Sequence, residues 1–274
     1  MQKSAVQTEV EIFDSSLLNW GLFFGSVIFV IATIFSSIAI FPSYSLSIGS
    51  TPFQAGLQNT VFSLSAVILR LIASPYMDKK GPKPLMLLGI FCMATTPFFL
   101  LLSPSYGMLL AARVYQSMGL AIFLPGIFAL TASMAPHNKL GTYLGGLRIF
   151  INLGVLAGPP SALFLIERAG YNSWFIVSTF FSILALALLG AVKVPAVKPR
   201  TVIESGPWKQ IAKALKNKRI YPIIGSVTLL SFCYSAVIAF GTVHIETAAP
   251  GIEAAYFFLL FGISGIVACL GAGA

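Results

Sequence analysis

Arginines interrupt otherwise apolar stretches of this chain at three places. Arg113 stands within one such stretch, with Gln116 about one helical turn further on. Burying a charge in apolar surroundings costs several kcal/mol, so Arg113 is expected to face an interior and to have a polar partner. Arg70 and Arg148 either line the same interior cavity or extend their side chains to an aqueous interface. Such a cavity would carry positive charge and favour an anionic or neutral polar ligand.

A second group of polar residues lies in the stretch from Ser74 to Lys83, between two long apolar runs. Asp78 and Lys79 come first, and Gly81 then provides a residue that can adopt the conformation of a tight reversal. Lys83 adds a further positive charge. An acidic side chain such as Asp78 can stabilise the N-terminus of a neighbouring helix, while Arg70, two turns earlier, is an alternative partner for Asp78. The stretch predicts a short charged connection between two helices.

A third pattern consists of small residues in one apolar segment, at Gly145, Gly154 and Gly158, with Pro159 directly after them. Small residues at helical spacing let two helices approach closely. Proline in a helix removes one backbone hydrogen bond and can bend the helix. The pattern indicates a tightly packed, bendable helix.

The composition places these residues in a membrane. Hydrophobic residues make up 57% of the chain and charged residues only 9%, whereas a soluble domain carries about 25% charged residues. The net charge of +9 is concentrated beside helix ends, as expected for membrane topology, so nucleic acid is not an expected partner. Cysteine and histidine spacing predicts no metal site. No phosphate-binding loop or nucleophile–base set indicates an enzyme or a cofactor.

The pattern of apolar runs predicts an all-α integral membrane protein with eight spans. They run roughly over 17–43, 51–77, 84–102, 103–134, 140–166, 172–192, 220–243 and from 253 onward. Thr51 followed by Pro52, and Ser103 followed by Pro104, predict the starts of the second and fourth. Lysine and arginine gather in every second connection, which predicts a cytoplasmic N-terminus in the inner or plasma membrane.

The spans group into three predicted regions. Residues 1–193 form a bundle of six helices, residues 194–218 form a cytoplasmic connection with an amphipathic helix, and residues 219–274 form part of a second bundle. The amphipathic helix would place Trp208, Ile211 and Leu215 on one face, at the membrane surface, and the alternative is a plain basic linker.

This layout and the three patterns together resemble the major facilitator superfamily. The stretch ending at Lys83 is similar to that family's loop between helices two and three, although Ser74 and Pro82 depart from it. The stretch from Arg113 to Ala121 resembles a pattern of the fourth helix, with Ser117 in place of glycine. The glycines of the fifth span resemble the signature of the family's antiporters, except that Ala162 and Leu163 replace its last two glycines.

The resemblance implies a role for each pattern. Asp78, Lys79, Gly81 and Lys83 would form a gate, or would serve only membrane topology. Arg113 and Gln116 would take part in proton coupling, or Arg113 would bond the backbone of helix one. The fifth-span glycines would limit leak in an exporter, or would serve generic packing. Candidate residues of a substrate path are Tyr44, Asn59, Tyr115 and Asn152.

The predicted function is secondary active transport of a small molecule by alternating access, as proton-coupled efflux, by a monomer in the lipid bilayer. One alternative is proton-symport uptake, or facilitated passage, of an organic anion or a sugar-like solute. The other is a truncated membrane fragment that does not transport, since the family usually has twelve spans and this sequence ends inside the eighth.

Overall fold

The computed structural model describes residues 17–102, 105–194, 216–217, 220–248, 256–257, 259–264 and 267, and these contain helices and connections but no strand. The all-α prediction is confirmed. The helices are α1 (Leu17–Ser47), α2 (Pro52–Lys80), α3 (Pro82–Leu102), α4 (Tyr106–Met134), α5 (Leu140–Ala191) and α6 (Tyr221–Ala248), with a 3₁₀ turn at His137–Lys139. Helical residues also occur between 256 and 267.

Helices α1 to α5 are each long and apolar enough to cross a membrane. Helix α5 has 52 residues, and only Gly170 inside it departs from helical geometry (φ 76°, ψ 176°). Since about 20 residues cross the hydrocarbon core, α5 contains two spans, here called α5a (residues 140–169) and α5b (residues 171–191). These correspond to the predicted fifth and sixth spans, which a single residue joins instead of a loop.

Several helix ends differ from the prediction. Helix α1 ends at Ser47 and not at the predicted Ser43, because Tyr44, like Phe41 before it, packs against the aromatic side chains of α5b. Helix α2 continues through Pro75 to Lys80, so most of the stretch predicted as a turn is helical. Helix α4 begins at Tyr106 and not at Ser103, because the Ser105 hydroxyl accepts the backbone N–H of Met108.

The predicted start of α2 is confirmed. The Thr51 hydroxyl accepts the backbone N–H of Gln54, the Gln54 side chain accepts the backbone N–H of Thr51, and Pro52 occupies the first turn. This reciprocal capping box satisfies two donors that a helix start otherwise leaves open.

The core of the bundle surrounds α1, whose side chains Phe23, Val27, Val30 and Ile31 are fully buried. Helices α5, α2 and α6 pack against it, and α3 packs against α4 and α5. The outer faces carry large exposed apolar side chains, among them Leu64, Ile68, Phe98, Phe180 and Ile183. An apolar exterior of this kind suits lipid, as the composition predicts. The predicted amphipathic helix with Trp208 lies outside the described residues.

Candidate functional site

Arg113 of α4 is fully buried, at 0% exposure, and is the largest fully enclosed side chain of the described residues. Its guanidinium donates hydrogen bonds to three oxygens: Oε1 of Gln116 on the same helix at 2.7 Å, Oδ1 of Asn59 on α2, and Oγ of Ser37 on α1 at 3.5 Å. Gln116 as a partner agrees with the sequence expectation. Helix one contributes a side-chain hydroxyl and not the backbone that the alternative proposed.

Two aromatic rings also enclose the guanidinium. Its central carbon lies 3.9 Å from the ring centroid of Phe62 on α2 and 4.8 Å from that of Phe41 on α1. Cation–π contacts of this kind are strongest where water is excluded. No carboxylate of the described residues pairs with Arg113, and its Nε has no hydrogen-bond partner among them. We call Arg113, Asn59, Gln116, Ser37, Phe41 and Phe62 the Arg113 cluster.

Asn59 is held in place from its other end, because its Nδ2 donates to the carbonyl oxygen of Ile38 on α1 at 3.2 Å. The preceding Gln58 is fully buried and donates to the carbonyl of Ala55, while its Oε1 has no partner among the described residues. Asn59 of α2 is therefore hydrogen-bonded both to α1 and to α4. The aromatic members and Ser37 were missed from the sequence, since no local pattern separates them from the other apolar or hydroxyl residues of their helices.

Arg70 and Arg148 lie outside the Arg113 cluster and are exposed. The Arg70 Nε donates to the carbonyl oxygen of Ala121 at 3.4 Å, eight residues or about 12 Å along α4 from Arg113. No ion pair joins Arg70 to Asp78 among the described residues. Arg148 lies on α5a, a different helix from Arg70 and Arg113. The three arginines thus occupy separate environments.

The remaining substrate-path candidates differ in their surroundings. Tyr44 is 5% exposed and packs among Phe41, Tyr171 and Phe175, which favours a packing role. The Tyr115 hydroxyl lies 3.0 Å from the Thr95 hydroxyl on α3. Asn152 is partly buried on α5a. Of these candidates Asn59 belongs to the Arg113 cluster, Tyr44 contacts it within the described residues only through the ring of Phe41, and the Tyr115 hydroxyl bonds outside it.

The connection between α2 and α3 reverses at one residue, Gly81, with φ 80°. Asp78 and Lys79 are exposed in the last turn of α2. Lys83 reaches across to the end of α5b, where its Nζ donates to the carbonyl oxygens of Gly190 at 2.8 Å and Val192 at 2.6 Å. The sequence predicted the reversal at Gly81 but not this contact. The gate role of Asp78 stays a prediction.

The fifth-span glycines divide into two kinds. A Cβ on Gly154 would lie 2.8 Å from Cβ of Ile31, and one on Gly158 would lie 2.8 Å from Cα of Ala32 and overlap its carbonyl oxygen. A Cβ on Gly145 would meet nothing within 4 Å. Pro159 is buried and lies within continuous helix. Gly154 and Gly158 therefore bring α5a into backbone contact with α1, while Gly145 does not.

Comparisons with known proteins agree with this architecture. The Major Facilitator Superfamily model matches residues 22–274. A crystal structure of the peptide transporter POT in complex with sulfate has the same fold over 91% of this chain and 50% of that one, with a TM-score of 0.58 and 14% identity. The described structure defines a helical, multi-pass membrane protein.

The chain belongs to the Major Facilitator Superfamily, as its family match over residues 22–274 shows. It is 25% identical over 210 residues to the quinolone resistance protein NorA of Staphylococcus aureus strain MRSA252, covering 77% of this chain and 52% of that protein. It is 30% identical over 207 residues to the multi-drug resistance efflux pump PmrA of Streptococcus pneumoniae serotype 4, covering 73% and 49%. The chain spans about half the length of these curated relatives.

Proposed function

We propose that this protein transports a small molecule across the plasma membrane by alternating access, as proton-coupled efflux. The observation that carries the proposal is the backbone contact of α5a with α1 at Gly154 and Gly158. Those glycines belong to the pattern that resembles the signature of antiporters. The similarity to NorA and PmrA, which are named for drug resistance and efflux, supports the same direction of transport.

In this proposal the Arg113 cluster couples the relative positions of α1, α2 and α4 to changes of charge near the Arg113 guanidinium. The guanidinium has neutral hydrogen-bond partners and aromatic neighbours, so no carboxylate of the described residues compensates its charge. A buried cation without a counter-charge favours the arrival of negative charge or the loss of a proton nearby. Since Arg113 is fully enclosed, any direct contact with a substrate requires α1, α2 and α4 to separate.

The proposed substrate is anionic or neutral and polar. Asp78 and Glu167 lie at helix ends and are exposed, and no described carboxylate lies within α1 to α5a at the depth of Arg113. A lipophilic cation would find no opposite charge along these helices. Arg70 and Arg148 would add positive charge towards the cytoplasmic end of the cavity.

The topology is part of the same proposal. The N-terminus and the Asp78 gate are cytoplasmic, and the chain is monomeric. Residues 1–193 act as one bundle, 194–218 as the connection, and 219–274 as part of a second bundle. Asp78, exposed in the last turn of α2, is free to approach a helix N-terminus of that second bundle.

The test uses everted membrane vesicles from cells that produce the protein, energised so that protons accumulate inside. Efflux antiport predicts uptake of a fluorescent quinolone into these vesicles and its release when the proton gradient is collapsed. Symport predicts movement out with protons, and facilitation predicts flux that ignores the gradient. Vesicles without the protein, and a lipophilic cation as the second probe, serve as controls. Full transport of an anionic probe by the Arg113→Ala variant would rule out the proposed role of Arg113 in transport.

A further inference from the structure

We propose that a basic pocket at the α2–α3 junction binds the phosphate of an anionic phospholipid. The pocket has a volume of about 250 Å³ and is lined by Lys79, Lys80, Gly81, Lys83 and Val194, with two prolines. It is concave and joins the end of α2, the start of α3 and the segment after α5b. Three lysines therefore converge on one hollow and not on a flat surface.

Hydrogen bonds between distant parts of the chain hold the wall of this pocket. Lys83 donates to the carbonyl oxygens of Gly190 and Val192, which fixes α3 to the end of α5b. Asn19 of α1 then exchanges two hydrogen bonds with the backbone of Lys193, at 3.0 Å and 2.7 Å. Residues 190–194 are thus hydrogen-bonded both to α3 and to α1. A wall held in this way keeps the lysines together before any ligand arrives.

The charges around the pocket are mostly positive. Lys79 and Lys80 are exposed and have no ion pair among the described residues, and Lys193, next to Val194, is also exposed. Asp78 is the one described carboxylate on this turn, so the lysines outnumber it. A phosphate group offers several oxygen acceptors to ammonium groups. Each lysine near a membrane surface adds to the attraction of anionic lipids.

The apolar surface next to the pocket indicates a lipid and not a soluble anion. On α2, Ile72 and Tyr76 are 57% and 56% exposed within two turns before the lysines. On α3, Leu88 and Phe91 are 48% and 50% exposed, five and eight residues after Lys83. These side chains lie on spans and can contact acyl chains, while the pocket at the helix ends faces the headgroup region. Binding is independent of transport, although Lys79 and Lys83 also belong to the proposed gate.

The experiment measures lipid retention by the purified chain in neutral detergent, using native mass spectrometry. Phosphatidylglycerol and phosphatidylcholine are added at equal concentration. The double variant Lys79→Gln/Lys80→Gln is compared with the charge-matched control Lys139→Gln/Lys216→Gln, whose two lysines are exposed outside the pocket. We expect the native chain to retain phosphatidylglycerol in preference, the pocket variant to lose about tenfold in this retention, and the control to change by less than about twofold.

Three results would overturn the proposal. The native chain could retain both lipids equally, which needs no variant to detect and holds even if a variant folds poorly. The two double variants could lose retention equally, which would indicate a general charge effect. Inorganic phosphate at millimolar concentration could displace phosphatidylglycerol completely, which would indicate a soluble anion as the ligand. None of these outcomes bears on whether the protein transports.

Discussion

On one side of α1, Gly154 and Gly158 of α5a touch Ile31 and the backbone of Ala32. On roughly the opposite side of the same helix, Ser37 and Phe41 face the guanidinium of Arg113. The first contact depends on the absence of side-chain atoms, and the second depends on a charge that neutral groups surround. At the glycines, close backbone contact limits how far α1 can shift relative to α5a. At Arg113, the position of α1 depends on hydrogen bonds and cation–π contacts. The two contacts should therefore respond differently to substitution.

The largest expected effect is at the charged contact. Arg113→Ala leaves a cavity and removes the donor that Asn59 and Gln116 share, so we expect a loss of about 4 kcal/mol in the free energy of unfolding. Transport of an anionic probe should also be lost. Unfolding in detergent micelles and vesicle uptake measure the two quantities.

A double variant separates these two losses. Arg113→Met with Asn59→Leu refills the volume and removes an unpaired amide, so at least half of the lost stability should return. Transport should not return. A double variant that transports normally would show that Arg113 serves packing alone.

Substitution of the fifth-span glycines should have the next largest effect on the free energy of unfolding. Its sign should differ between Gly158, which contacts α1, and Gly145, which does not. Gly158→Ala forces a Cβ against the main chain of Ala32, which cannot rotate away, so we expect a loss of about 3 kcal/mol. Gly145→Ala meets open space and should gain up to about 1 kcal/mol through better helix propensity. Thermal unfolding measures the stability of the two variants. Equal changes in both would contradict the backbone contact at Gly158.

The aromatic part of the charged contact should matter less. Phe62→Leu removes ring atoms from a fully buried position and the closer cation–π contact of Arg113, at a cost of about 2 kcal/mol. The matched control is Phe98→Leu on α3, where the ring is 52% exposed and the change should stay within about 0.5 kcal/mol. A loss at Phe98 as large as that at Phe62 would remove the case for the cation–π contact.

The smallest effect is expected at Ser37. Its hydroxyl accepts from Arg113 at 3.5 Å and donates to the Ile34 carbonyl at 2.7 Å, so the bond to Arg113 is long and weak. Ser37→Ala should cost under about 0.5 kcal/mol more than Ser182→Ala, whose buried hydroxyl bonds its own helix on α5b. An excess above about 1 kcal/mol in unfolding measurements would mean that α1 depends on this hydroxyl more than the distance indicates.

The membrane character of the chain and the approximate places of its helices could be predicted from the sequence. Apolar runs of spanning length are a local property, and so are caps such as Thr51 with Gln54. The family could also be predicted, because its patterns at Asp78, Arg113 and Gly158 consist of residues close together in the chain. Helix ends were less predictable: α1 and α2 pass Pro42 and Pro75 as expected but end at Ser47 and Lys80, a few residues beyond the predicted Ser43 and Met77.

The partners of the candidate residues were decided by the tertiary structure. The sequence placed Arg113 where it needed a polar partner, but only the crossing of α1, α2 and α4 supplied Asn59, Phe41 and Phe62 from segments far apart in the chain. It placed three glycines in one helix, but only the position of α1 separated Gly154 and Gly158 from Gly145. The hydrogen bonds of Lys83 to the end of α5b likewise depend on tertiary packing. Periodicity fixes which residues share a face of a helix, whereas the neighbour of that face depends on how every helix packs at once.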